Sequence, residues 1–239
     1  MDYGKEIAKR ALEIGAIKLS PENPFTWASG FRMPIYNDNR MHLWYPENRN
    51  MIIQGFCQLL ERADLSSDDY DFIAGTSTSG IPWTSLLSCQ LPQKPMVYIR
   101  DKPKDHGLKN RIEGIDTDSD LKGLNGILIE DLISTGGSSV SAVQAIRDAN
   151  GQCNHCLSIF TYGFPNPQKM FSGELAYDKE GHKLATPCNT LSILDYKTLL
   201  EAASEMKLFD ERNLSILKEW ESDPFNWGQK HGSPPVERK

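Results

Sequence analysis

The residues best equipped for chemistry stand together between Glu130 and Ser138. Two adjacent carboxylates, Glu130 and Asp131, follow three aliphatics, Ile127, Leu128 and Ile129. A loop of small and hydroxylated residues, Ser134-Thr135-Gly136-Gly137-Ser138, comes next. The aliphatic run reads as a buried parallel strand. Ser139 to Ala149 reads as a helix with Val140, Val143 and Ile146 on one side, stopped by Asn150-Gly151. A loop that enters a helix N-terminus offers free backbone N–H groups and the positive end of the helix dipole, which suits a phosphate. Gly136 and Gly137 let the backbone come close to such an anion. The carboxylates would repel a phosphate and suit the neutral hydroxyls of a sugar beside it. The stretch therefore has the makings of a sugar-phosphate site.

Two further stretches carry compatible chemistry. Phe72-Ile73-Ala74 reads as a short buried strand that runs into Gly75, Thr76, Ser77, Thr78, Ser79 and Gly80. The glycine spacing imitates a nucleotide-binding P-loop, but Ile81-Pro82 stands where Lys-Ser/Thr is required, which excludes that reading. What remains is a second anion-binding loop, followed by a helix over Ile81 to Cys89. Met96 to Ile99 reads as a third strand, leading into a polar segment from Arg100 to Gly114. Arg100, Lys102, Lys104 and His106 are four cationic-capable side chains within seven residues of it. The segment has no apolar period and reads as a long mobile loop, of the kind that serves as a lid.

The elements that must position these residues are those of an α/β protein. The chain has 239 residues, 39% hydrophobic and 24% charged, enough for one sizeable domain. The expected organisation is a single domain over 1–239. An N-terminal helix and hood occupy about 1–45, an α/β core about 46–194, and C-terminal helices and a tail about 195–239. The amphipathic N-terminus uses Ile7, Ala8, Ala11 and Ile14. Glu47 to Arg62, Asp195 to Met206 and Glu211 to Trp220 read as helices, and Gly163 to Thr186 as irregular chain. The net charge of −6 disfavours a general nucleic-acid binder. No apolar run approaches the ~20 residues of a membrane span. Five cysteines without a signal-peptide core fit reduced thiols in the cytoplasm. Cys153 and Cys156 have C-x-x-C spacing with no second pair to complete a zinc site, so they read as buried structural thiols.

The run from Ile127 to Ser139 resembles the signature of the type I phosphoribosyltransferases, in which this loop holds the 5-phosphate of phosphoribosyl pyrophosphate (PRPP) and the acidic pair its ribose hydroxyls. Two more motifs resemble the orotate branch of that family. Phe25, Thr26, Ser29, Gly30 and Pro34 match its hood motif, with Ala28 where many members have lysine. Arg100, Lys104, His106 and Gly107 match its catalytic loop, with Asp101 in place of the usual lysine. The resemblance extends from about Ala11 to Trp227. It implies a parallel-rich sheet flanked by helices, and transfer of phosphoribose from PRPP to orotate. The implied catalytic residues are Lys104, His106, Glu130 and Asp131.

The implied PRPP contacts are Arg100, Lys104, His106, the run Glu130, Asp131, Leu132, Ile133, Ser134, Thr135, Gly136, Gly137 and Ser138, and the pyrophosphate loop Thr76, Ser77, Thr78, Ser79 and Gly80. Orotate would meet Ser134, Ser29, Gly30 and Tyr36. Magnesium (Mg2+) would be held by PRPP and water, without direct protein ligands. A homodimer is implied in which the 100–114 loop reaches the neighbouring active site, with no nucleic-acid or membrane partner. A purine phosphoribosyltransferase, or a PRPP-sensing regulator that binds nucleic acid, remains as an alternative on the same fold.

Overall fold

A computed structural model of the protein describes residues 2–91, 94–102, 111–116 and 120–234. The chain divides into two compact units: residues 1–49 with 194–239, and residues 50–193. The segments expected as hood and C-terminal helices fall together in the first unit, and the α/β core makes up the second.

The first unit opens with helix α1 (Tyr3–Glu13), capped by Asp2, whose side chain accepts from the Lys5 N–H at 3.2 Å. Four short strands follow: β1 (Ile17–Leu19), β2 (Phe25–Thr26), β3 (Arg32–Met33) and β4 (Ile35–Asn37). β1 pairs antiparallel with β4, and β2 with β3. Helix α2 (Pro46–Arg62) begins in this unit and continues into the second. Three C-terminal helices complete the unit: α6 (Tyr196–Glu205), α7 (Glu211–Ser222) and α8 (Pro224–Lys230). Trp220 is fully buried and donates to the Met33 sulfur at 3.0 Å, so the hood strands and the C-terminal helices share one apolar centre. α8 was not anticipated. Pro224 stands in its first turn, where proline is well tolerated.

The second unit is built on a six-stranded sheet, counted among the described residues, in the order β10-β9-β8-β5-β6-β7. These strands are β5 (Phe72–Thr76), β6 (Met96–Ile99), β7 (Ile112–Glu113), β8 (Asn125–Ile133), β9 (Gln152–Thr161) and β10 (Asn189–Asp195). β5 pairs parallel with β6 and β8, and β8 with β9, while β7 runs antiparallel to β6. Every residue of β5 is buried, as a strand covered on both faces requires. Helices α3 (Gly80–Gln90), α4 (Gly137–Asp148) and α5 (Pro165–Phe171) connect the strands. Val140, Val143 and Ile146, the apolar side expected for α4, are fully buried.

Two segments of the second unit depart from the expectation. Residues 112–113 form a strand inside the segment read as loop; one buried isoleucine in two residues is too little for any periodicity to register. Residues 165–171 form α5 inside the segment read as irregular; Pro165 occupies its first turn, where the missing N–H costs nothing. Cys153 and Cys156 lie within β9 and are buried free thiols, as expected. No helix among the described residues is long and apolar enough to cross a membrane.

Candidate active site

β5 and β8 lie side by side and parallel, so their C-terminal ends open on the same edge of the sheet, where open α/β folds bind ligands. Each strand ends in a small-residue loop that starts a helix. No side chain caps α3 at Ser79 or α4 at Gly136. By contrast, Asp2, Asp195 and Asp210 cap α1, α6 and α7 in the first unit. An uncapped helix N-terminus keeps orphan N–H donors and a positive dipole end for an outside anion. Two such ends on adjacent strands suit a ligand with two phosphate groups.

The loop between β8 and α4 has the conformation its glycines allow. Gly136 stands at φ +87° and its carbonyl accepts from the Val140 N–H at 2.9 Å, closing the first turn of α4. A Cβ on Gly136 would lie 2.9 Å from Cβ of Pro167, and one on Gly137 would lie 3.1 Å from the Tyr177 carbonyl oxygen. Thr135 and Ser138 are exposed and Ser134 half-buried. In the companion loop, Thr78 is exposed, Ser77 and Ser79 are half-buried, and the Ser77–Thr78 peptide is cis. Gly80 is required by close packing, since a Cβ there would lie 2.6 Å from the Ile129 carbonyl oxygen.

The two loops are joined by one carboxylate. Glu130 is 6% exposed. Its Oε1 accepts from the Thr76 hydroxyl at 2.7 Å and from the Asp131 N–H at 3.0 Å, and its Oε2 accepts from the Ser139 hydroxyl at 3.0 Å. Burial, and after it the neighbouring Asp131 charge, push Glu130 above the usual carboxylate range, while the Thr76 hydroxyl pulls it back. The acidic pair is thus asymmetric: Glu130 faces into the protein and Asp131 is half-buried at the loop mouth. Sequence alone gave the two neighbours one role, yet adjacent strand residues point to opposite faces. Leu132 is half-buried and Ile133 buried; their backbones complete β8 beside β9.

The described part of the cationic segment starts and ends on the same hairpin. Arg100 is half-buried, with a guanidinium nitrogen 3.7 Å from Glu113. Its N–H donates to the Arg111 carbonyl at 2.8 Å. Arg111 was not singled out in the sequence; it holds Ser141 of α4 through its guanidinium. Lys104, His106 and Gly107 lie outside the described residues. Ser29, Gly30 and Tyr36 belong to the first unit. There a tight turn carries Ser29 and Gly30, with the Gly30 N–H donating to the Trp27 carbonyl at 2.8 Å and Gly30 at φ +87°. Tyr36 is 42% exposed, and its ring centroid is 5.9 Å from that of Phe25.

No family model matches the chain. Curated relatives do. A protein of Listeria monocytogenes serotype 4b named orotate phosphoribosyltransferase is 40% identical over 229 residues, covering 96% of this chain and all of its own. One of Streptococcus gordonii with the same name is 40% identical over 227 residues, covering 95% and 99%. Among solved structures, orotate phosphoribosyltransferase from Aeropyrum pernix superposes with a TM-score of 0.64 at 22% identity, over 85% of this chain and 99% of its own. The Mycobacterium tuberculosis enzyme in complex with PRPP does so with a TM-score of 0.58 at 18% identity, over 82% and 98%. The structural likeness carries the fold; the full-length identity carries the lineage, and by it the chain belongs to the orotate phosphoribosyltransferase family.

Proposed function

We propose that the protein transfers the 5-phosphoribosyl group of PRPP to orotate, giving orotidine 5'-monophosphate and pyrophosphate in pyrimidine biosynthesis. The observation that carries the reading is the pair of uncapped helix N-termini at the ends of adjacent parallel strands, tied by Glu130 to Thr76 and Ser139. One anion loop takes the 5-phosphate through Thr135, Gly136, Gly137 and Ser138. The other takes the diphosphate through Thr76, Ser77, Thr78, Ser79 and Gly80.

In the reaction the orotate ring nitrogen gives up its proton, which the departing diphosphate can accept, and forms a bond to the anomeric carbon of ribose. The bond from that carbon to the diphosphate oxygen breaks, and pyrophosphate leaves with the electron pair. Positive charge builds on the ribose ring in between, so fixed negative charge beside it lowers the barrier. Asp131 supplies that charge and holds the ribose hydroxyls. Glu130, with both oxygens engaged inside the protein, sets the distance between the loops. Arg100, Lys104 and His106 neutralise the leaving diphosphate. Ser134 lies on the base side, and Ser29, Gly30 and Tyr36 are the proposed orotate contacts by resemblance to the hood motif. The donor set suits magnesium bound mainly by diphosphate and water, since Glu130 is already committed. Bound there, magnesium would offset diphosphate charge. The proposed assembly is a homodimer, and the proposed compartment the cytoplasm, in keeping with five free cysteines.

The test is a screen of PRPP with orotate, uracil, adenine, guanine and xanthine. Orotate is expected to lead by about tenfold or more in kcat/KM, the equivalent of ~1.4 kcal/mol at the transition state. Turnover of a purine with none of orotate overturns the reading.

A further inference from the structure

The β6–β7 hairpin brings two arginines together at its open end. Tyr98 pairs with Glu113 and Ile99 with Ile112, and the next step of the ladder is the Arg100 N–H on the Arg111 carbonyl, at 2.8 Å. The Arg111 side chain then turns back across this step. Its Nε donates to the Arg100 carbonyl at 2.8 Å. One terminal nitrogen donates to the Ser141 carbonyl at 3.1 Å and to the Ser141 hydroxyl at 3.0 Å. Ser141 lies in the early turns of α4, the helix that starts at the 5-phosphate loop.

A single guanidinium therefore spans two elements that share no strand pairing. One is the strand end that carries Arg100, and the other is the phosphate helix. Arg111 is half-buried, and burial lowers its affinity for the proton, partly offset by the Asp101 charge and then by Tyr177 and Asp148. A surface arginine without a task stays in water, where its five donors are satisfied at no desolvation cost. We propose that Arg111 is a positioning residue, whose fork fixes Arg100 relative to the 5-phosphate loop. It touches neither substrate; it acts through Arg100 and Ser141. The inference rests on the phosphoribosyl-transfer reading for its kinetic consequence. A lysine cannot replace it, because a single ammonium on a flexible stem does not present the planar fork that reaches Arg100 and Ser141 together.

The experiment uses the full chain with Arg111→Met, Arg111→Lys and Ser141→Ala. Four quantities are measured: kcat, KM for each substrate, Tm, and amide exchange at Arg100. Both Arg111 variants are expected to lower kcat about tenfold while orotate KM stays within about twofold and Tm is nearly unchanged. Arg111→Lys should not rescue. Ser141→Ala keeps its carbonyl as an acceptor, so its loss should be about two- to threefold. Exchange at the Arg100 amide should quicken about tenfold or more in both Arg111 variants. Wild-type kcat with wild-type Arg100 exchange overturns the proposal. So does a fall in kcat that merely follows a lowered Tm. If the wild type turns over no orotate, the functional reading fails by itself, and Arg100 exchange still decides whether Arg111 makes the tie.

Discussion

The Thr76 hydroxyl donates to Glu130 across 2.7 Å, which links the last residue of β5 to the carboxylate near the end of β8. The bond joins residues 54 positions apart and is buried. Thr76→Val keeps the shape and removes the donor. A buried carboxylate that loses one hydrogen bond is expected to cost about 1–3 kcal/mol of stability. KM for PRPP should rise with it, because the loop proposed to hold the diphosphate begins at Thr76. Urea unfolding and initial rates measure the two effects; an unchanged midpoint and KM would remove Thr76 from the account.

The acidic pair should divide under mutation. Asp131→Asn keeps the shape and removes the charge proposed to face the ribose, so kcat should fall about a hundredfold while PRPP affinity changes little. Glu130→Gln keeps an acceptor for Thr76 and the Asp131 N–H, and its amide faces the Ser139 hydroxyl, which can rotate to accept. Its kcat should fall less than that of Asp131→Asn. Equal losses from both substitutions would return Glu130 to the ribose.

Glu130 also makes a pH prediction. Its folded pKa is raised above the unfolded value by burial and then by Asp131. The stability it contributes is therefore full below the ordinary glutamate pKa and is lost as pH rises through the folded value. Glu130→Gln removes this titration. The difference in Tm between Glu130→Gln and wild type should move in favour of the variant from pH 6 to 9. A pH-independent difference would mean that Glu130 carries its charge without penalty.

His42 works in the opposite direction. It is fully buried, 3.2 Å from the Asn48 amide nitrogen, and burial pushes its pKa down to about 4. Unfolded, it takes up a proton near pH 6.5, so stability is full above that pH and declines toward pH 4. The decline approaches ~1.4 kcal/mol per pH unit from this group alone. His42→Gln keeps an acceptor for Asn48 and should flatten that part of the profile. Identical acid profiles for the two proteins would show that His42 does not titrate there.

Gly136 and Gly163 share a left-handed backbone, at φ +87° and +73°, but only Gly136 is crowded. Nothing lies within 4 Å of a Cβ built on Gly163. Gly163→Ala should therefore cost the backbone penalty alone, about 1–2 kcal/mol. Gly136→Ala adds the collision with Pro167 and should abolish PRPP binding in a protein that still folds. Calorimetric titration with PRPP separates the two; equal affinity would show that the loop tolerates displacement.

The parts of this protein legible in its sequence are those written in consecutive residues. The run from Ile127 to Ser139 foretold a strand, an acidic pair at its end, a loop and a helix; β8 instead runs through the acidic pair to Ile133 before the loop, and α4 follows. The unequal burial of Glu130 and Asp131 was not legible, because it depends on Thr76 and Ser139 arriving from two other places. Arg111 was invisible for the same reason. Its partners lie 11 and 30 residues away, and nothing in its neighbours marks it apart from other charges in a polar segment. α5 and α8 were not legible because each is only seven residues long, too short for an apolar period to show.

Pro167 and Tyr177 roof the two glycines of the loop between β8 and α4. During synthesis the loop leaves the ribosome well before that roof exists, since chains emerge N-terminus first. The motif is thus spelled out before it can hold its shape, and a nascent chain ending short of Pro165 would carry every signature residue of the loop without its cover. The same order limits transplantation. Grafting residues 127–139 onto another parallel sheet would move the letters of the site and leave behind the later segment that closes over them.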